Sequence, residues 1–560
     1  MLKRILAIGL STAMLLGCLG ACKGNSESSS SSASSETAAS KDEAASANSA
    51  NYADSLFDTG YIHKINVELS DDNWKDLKTN PLNKTKYSAT VTIDGNKVEN
   101  VSFATKGNTS LSQVASSDSD RYSFKINFGK FDKGQKYQGL DKLNLNNIMS
   151  DATYMKDYLS YLIMRKAGVI ASLTSYAQLS VNGKVHGLYI MIEDVSDSFL
   201  KRNTGNDDGA LYKPETERLD NANGKQPDWN MQPPQDGNME PPQGGNMQPP
   251  DGFGGDRQMP VDENGKSQGI PQGGPGGQRG PGGMDDSKGA DLVYKDDKTE
   301  SYSDIFDNAE NDVTDDDKKE LITAIKALNS GENIEKYWDM DQLVRYFVAH
   351  NFVLNYDSYT GNMLHNYYLY EKDSKVSVFP WDYNLAFGGF MGGSDATSAV
   401  NWAIDSPLSG AAEESRPLWK CIVSNEKYLS LYHKYFGELM KSFFDSGECE
   451  KEIERVYQMI HPYVKDDPTA FYTLDEFDTA VKTLKEFCKL RSESINKQLS
   501  GDLASTSDKQ NKDAMVDASS LNISSMGTQG GGKDGNPPGG MTPEPPNGGE
   551  NAPSSKQPST

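Results

Sequence analysis

Residues 351–389 read NFVLNYDSYTGNMLHNYYLYEKDSKVSVFPWDYNLAFGG, and the fold class turns on how they are read. An apolar helical run ends just before Asp357, and Asn362 follows five residues on. Two strand-like runs come next, 365–370 and 375–379, with a charged turn between them. Asp382 stands directly after the second run, in Pro380-Trp381-Asp382-Tyr383-Asn384. The order is an acid, an amide, a hairpin and a second acid at its exit. In phosphoryl transfer the first acid orients the attacking hydroxyl, while the amide and second acid hold the metal that bridges the nucleotide phosphates. Turn formation alone also puts Asp and Asn at strand ends. The weight therefore rests on the full order and not on D-x-x-x-x-N alone.

Working outward, the stretch before it is strand-rich. Ile62-His63-Lys64-Ile65-Asn66-Val67-Glu68-Leu69 alternates apolar and polar, as a half-buried strand does. Residues 87–93 and 98–105 flank Asp94-Gly95, and 177–181 and 187–193 flank Asn182-Gly183, so each set reads as a hairpin. In Tyr122-Ser123-Phe124-Lys125-Ile126-Asn127-Phe128, Lys125 points away from the face of Phe124 and Ile126. Residues 152–167 place Tyr154, Tyr158, Tyr161 and Leu162 on one helical face, with Gly168 as the stop. The second half is helical, with runs at 315–328, 340–354, 428–444, 450–464 and 474–499.

The ends and the middle have different chemistry. Residues 1–22 read as a bacterial export signal: Lys3 and Arg4, then a short apolar core, then two lipobox-like cysteines, Cys18 and Cys22. Cys22 is the better lipid acceptor because a Ser/Ala-rich tether, 23–53, follows it directly. Residues 226–288, within a low-complexity insert spanning 216–300, hold three N-M-[QE]-P-P copies at a period of eight, too poor in apolar residues to stack as a solenoid. From Gly501 to residue 560 the chain reads as a disordered tail. Cys421, Cys449 and Cys488 form no disulfide framework and no C-x-x-C pair, so they read as core packers, with one bridging pair left open. A net charge of −24 offers phosphates no continuous basic surface and excludes a nucleic-acid binder.

Six stretches taken in order resemble the CotH (spore-coat protein H) kinase family, an atypical secretory-type kinase fold. They are Lys106-Gly107-Asn108-Thr109-Ser110, Phe124-Lys125-Ile126-Asn127-Phe128, residues 151–157, residues 181–195, Gly209-Ala210-Leu211-Tyr212-Lys213, and residues 380–388. The family has Arg before Gly-Asn where this chain has Lys106, which keeps the charge and loses the planar fork. The resemblance implies an α+β, bilobal protein kinase-like fold: a strand-rich N-lobe over 54–215 and a helical C-lobe over 301–500, with the Pro/Gly/Met insert between. It further implies phosphate transfer from ATP, with Mg²⁺ or Mn²⁺, to Ser or Thr of a surface or spore-coat protein. On that basis Asp357 orients the hydroxyl, and Asn362 and Asp382 hold the metal. Lys125 neutralises nucleotide phosphates, with Lys106 its rival and the Gly107-Asn108 turn a donor of backbone N–H groups. Asp157 or Glu193 pairs with the lysine, or Glu193 sits at the hinge near adenine.

Three functions remain open on these residues. One is an exported kinase anchored through Cys22 to the outer face of the bacterial cytoplasmic membrane. A second is a non-catalytic surface or coat module that keeps the fold for structural or binding work. The third is nucleotidyl transfer by similar residues.

Overall fold

The computed structural model describes residues 51–216, 287–390 and 395–529. Cys22, the export signal and most of the tether and insert lie outside them. In β1 (His63–Glu68), Ile65 and Val67 are buried while Lys64 and Glu68 are exposed, the period-two pattern of a strand with one inward face. Six more strands follow: β2 (Tyr87–Ile93), β3 (Asn96–Lys106), β4 (Ser123–Asn127), β5 (Lys142–Asn146), β6 (Thr174–Val181) and β7 (Lys184–Glu193). Asp94-Gly95 and Asn182-Gly183 adopt positive φ at both positions, as two-residue hairpin turns require.

The seven strands close into a barrel in the order β1-β2-β3-β4-β5-β7-β6. Parallel pairing of β1 with β6 makes the closure, with Ile65 opposite Leu179 and Val67 opposite Val181. A barrel has no free edge to protect. This differs from the lobe of a kinase-like sheet, and local alternation could not have announced it: each strand looks the same whether its outer neighbour is solvent or β6. Inside, Phe103 stacks on Phe124 with ring centroids 4.6 Å apart.

The helical half is anchored on α1 (Lys156–Lys166), α2 (Asp315–Ser330), α3 (Met340–Val353), α4 (Glu426–Leu439), α5 (Glu448–Lys465) and α6 (Leu474–Ser500). Capping boxes at Thr314/Asp317 and Thr473/Glu476 start α2 and α6. The helix expected from residue 152 starts at Lys156 instead. Asp151 accepts from the backbone N–H of Thr153 (2.9 Å) and of Lys156 (2.7 Å), and Tyr154 takes φ 57, so a turn occupies the first four residues. A small sheet, β10-β9-β8, comprises β8 (Ala210–Tyr212), β9 (Tyr367–Lys372) and β10 (Lys375–Pro380). The β9–β10 turn uses Asp373 and Ser374, both at positive φ without glycine.

Barrel and helices are joined by a buried clamp. The Arg121 Nη1 donates to both Asp467 oxygens, at 2.9 and 2.8 Å, and its guanidinium lies over Tyr189. A Cβ at Gly187 would fall 2.3 Å from that Nη1, so only glycine fits there. Two boundaries need correction. Residues 501–529, expected to begin a disordered tail, are packed, with Leu503, Val516, Ala518, Ile523 and Met526 buried. Ala290 and Leu292, inside the expected insert, are fully buried too. In both places a few apolar anchors are diluted by Ser, Asp and Lys, which hides them from composition. Cys421, Cys449 and Cys488 are free and buried. No helix among the described residues is long and apolar enough to cross a membrane.

Candidate active site

The outer face of the barrel supplies one wall of a cleft of about 270 Å³. Because Phe124, Ile126, Leu143 and Leu145 point inward, the residues between them point out. That register puts Lys125 beside Asn144, and with Lys106, Ser123 and Asn146 they line the cleft. The opposite wall carries Asp157 from α1, Asp357, His365 and Asn366 before β9, and Trp381, Asp382 and Asn384 after β10.

Two acids meet here, Asp157 buried and Asp382 half-buried. The Asp157 Oδ1 accepts from the backbone N–H of Tyr383 at 2.9 Å, which brings it next to Asp382. Burial, reinforced by the Asp382 carboxylate, pushes the Asp157 carboxyl up to about 7. Burial also raises Asp382, against the opposing charge of Lys106. The Asp382 Oδ1 is buried and accepts no hydrogen bond from the protein, and its φ of 54 holds it off the strand. Lys106 donates to Asn146 Oδ1 at 2.7 Å and lies over the Trp381 ring; burial lowers its ammonium, which Asp382 partly offsets. Asn146 also donates to Asp157 Oδ2 (3.3 Å), so Lys106, Asn146, Asp157 and Asp382 form one network.

Lys125 has a separate partner. Its Nζ is 2.7 Å from Asp194 Oδ2, and Asn144 donates to the same oxygen at 2.8 Å. Burial works against the Lys125 charge, but Asp194 outweighs it and holds the ammonium above its ordinary range. The expected pairing of the lysine with Glu193 does not form. Glu193 faces the other way, fully buried, with Arg202 Nη2 at 2.6 Å and the Tyr52 hydroxyl at 2.6 Å. It lies outside the cleft, so a hinge position near adenine does not fit it either. A one-residue step along a strand reverses the face, and that step separates Glu193 from Asp194.

Asp357 stands across the cleft with its Oδ1 2.6 Å from His365 Nε2. Asn362 does not join it: its side chain is exposed and lies against Gly410. Asn366 takes the place, 8% exposed, with its Nδ2 donating to the Asp357 backbone carbonyl at 2.8 Å. Positive φ at Leu364 and Asn366 bends the chain there, which the strand reading of 365–370 concealed. The Gly107-Asn108 turn lines the cleft, with Gly107 at φ 102. The Asn108 side chain turns to Lys84, accepting from its Nζ at 2.7 Å.

Asp194, Asn144, Asn146, His365 and Asn366 were missed as site residues. The signal for two of them was present. In Leu143-Asn144-Leu145-Asn146 the amides alternate with buried leucines and must share the face of Lys125.

The family model for CotH kinase protein matches residues 103–252 and 257–495. The chain belongs to the CotH kinase family. Lys106, Lys125, Asp157, Asp194, Asp357 and Asp382 all fall within the CotH kinase match, while Gln529, which also lines the cleft, lies beyond it. Inner spore coat protein H of Bacillus subtilis (strain 168) is 20% identical over 372 residues, which cover 66% of this chain and 82% of that protein.

Membership of a kinase-like family raises the question of a divalent cation, and the cleft residues are compatible with one. Asp157 and Asp382 are two mutually repelling carboxylates, and the Asp382 Oδ1 is buried without a donor. Among the described residues no three His, Cys, Asp or Glu side chains cluster as a protein-only cage. Mg²⁺ commonly takes one or two carboxylates and completes its shell with water and phosphate oxygens, so two acids suffice. A larger groove of about 810 Å³ between α5 and α6 carries alternating Lys and Glu and lies apart from these acids.

Proposed function

We propose that this protein is an exported phosphotransferase that moves the γ-phosphoryl group of ATP to a Ser or Thr hydroxyl of a surface or coat protein, with Mg²⁺ or Mn²⁺. The observation that carries the reading is the division of acids in one cleft. Asp157 and Asp382 share one network with Lys106, and Asp357 stands apart, held by His365. The barrel and the helical half act on this reading as the two lobes of a kinase-like fold. Asp382 and Asp157 would hold the cation, and the cation when bound would neutralise charge on the transferring phosphates.

The protein's own residues do the rest. Lys106 places a positive charge over the same phosphates, and Lys125, fixed by Asp194, sets a second one further along the barrel wall. Asp357 accepts a hydrogen bond from the acceptor hydroxyl and points its oxygen at phosphorus; His365 holds the carboxylate in that orientation. Phosphoryl transfer asks for positioning and electrostatics more than covalent chemistry, which suits a cleft lined by lysines and carboxylates. Anchoring through Cys22 would place the cleft outside the cytoplasmic membrane, since a diacylated Cys supplies two chains. The name of the Bacillus relative supports a surface or coat location.

The test incubates the full-length protein with an acceptor protein and ATP labelled at either the α or the γ phosphate, with each cation. Label transferred from the γ position only, and only with cation, is the expected result. Transfer from the α position would make the enzyme a nucleotidyltransferase. No transfer from either position would leave a non-catalytic surface module.

A further inference from the structure

The CotH kinase match ends at residue 495, yet residues 515–529 run back to the segments that carry Asp157 and Asp382. Ile523 and Met526 are buried. The Met526 carbonyl accepts from the Ala152 N–H at 3.1 Å, and Ser525 meets Thr483 of α6 at 3.0 Å. The Lys156 ammonium, fully buried at the start of α1, donates to the Gly527 carbonyl at 2.6 Å and to the Ser150 carbonyl at 3.2 Å. The Gln529 N–H then donates to the Gly389 carbonyl at 3.1 Å. Three things therefore meet at one point: the start of α1, which carries Asp157; the turn from 382 to 389, which carries Asp382; and the returning chain. Gly527 has no room for a side chain, since it takes φ 88 and a Cβ would lie 2.6 Å from the Ser150 oxygen. Gln529 itself is exposed and lines the cleft with Ser150, Asp151 and Leu385.

We propose that residues 515–529 are a positioning strap of the catalytic cleft, tying the Asp157 helix to the Asp382 turn and ending in Gln529 as a substrate-facing rim. Two carboxylates that repel each other need an outside restraint to keep one separation, and the strap bonds to the segments on both sides. The active unit then extends through residue 529, beyond the family match. The activity arm of this inference rests on the phosphotransferase reading, and the structural arm does not.

Three variants of the full-length chain test it: Lys156→Met, Gly527→Val and Gln529→Ala. Hydrogen exchange at 382–390 and 150–157 should speed up in Lys156→Met and Gly527→Val and stay unchanged in Gln529→Ala. Transfer should fall by about 10²-fold in the first two, the scale of a roughly 1 Å misplacement of a reacting group. Gln529→Ala should raise KM with kcat nearly constant. Should Gly527→Val fail to fold, Lys156→Met decides alone. Unchanged exchange at 382–390 in Lys156→Met overturns the strap, and wild-type KM in Gln529→Ala overturns the rim. Wild-type protein that transfers nothing, with exchange accelerated in the variants, would remove the phosphotransferase reading and leave the strap standing.

Discussion

Asn362 and Asn366 make the sharpest contrast between single residues. Spacing selected Asn362, because five residues from an acid is the familiar interval. The bends at Leu364 and Asn366 instead carry Asn366 to the Asp357 carbonyl and leave Asn362 exposed. Asn362→Ala should therefore leave cation-dependent nucleotide binding and transfer unchanged, and Asn366→Ala should reduce transfer, by less than the roughly 10²–10⁴-fold that loss of a general base costs; steady-state kinetics of both variants checks this. The lysine–acid pair shows the same limit at single-residue resolution. The outward face of Lys125 is legible from alternation, but its partner Asp194 is neither of the two acids expected, Asp157 or Glu193, because strand sequence alone does not say where the last paired residue falls. A further prediction belongs to Glu371, 4% exposed on β9. Burial, with Glu320 beside it, pushes its carboxyl up to about 8 from the ordinary 4.5. Between those values the folded state keeps a proton that the unfolded chain has released, so stability falls as pH rises through the window. Glu371→Gln should remove that loss and stabilise the protein by about 1–3 kcal/mol at pH 9, with little change at pH 4. Melting curves at the two pH values would show it.

At the scale of elements, the hairpins were legible and the closure was not. Asp94-Gly95 and Asn182-Gly183 announce their turns because both positions need positive φ. The β1–β6 pairing joins residues more than a hundred positions apart and leaves no local mark. Helix α1 begins late because Asp151 accepts from two backbone N–H groups and makes a turn of 151–155. That turn brings Asp157 to the cleft and leaves Lys156 buried against the Gly527 carbonyl, so the two neighbours have distinct tasks. The two acids proposed for the chemistry also divide by element. Asp357→Asn, ahead of β9, should keep nucleotide affinity and lower transfer by about 10²–10⁴-fold, the range of a general-base contribution. Asp382→Asn, in the turn after β10, should lose both together, because it removes a charge that the cation needs. Equal loss of binding in both variants would merge the roles assigned to the two elements.

At the scale of the whole molecule, one buried ion pair holds barrel to helices. Arg121 and Asp467 are both fully buried, and Arg121 also donates to the Asn147 carbonyl. A buried pair adds little over a well-packed apolar pair, but removing one partner strands the other's charge. Arg121→Met should therefore cost about 3–5 kcal/mol, read as a lower midpoint in denaturant, while Arg121→Met/Asp467→Leu should recover part of that loss. The cleft depends on this union, since Lys106 and Lys125 come from the barrel while Asp357 and Asp382 come from the helical half. The central claim is that the cleft binds a nucleotide through a cation held by Asp382. Calorimetric titration of a non-hydrolysable ATP analogue into the full-length protein, with and without Mn²⁺, tests it most directly. Saturable binding that needs Mn²⁺, survives Asp357→Asn and disappears in Asp382→Asn is the result expected. Binding that is indifferent to Mn²⁺, or equally strong in Asp382→Asn, would contradict it.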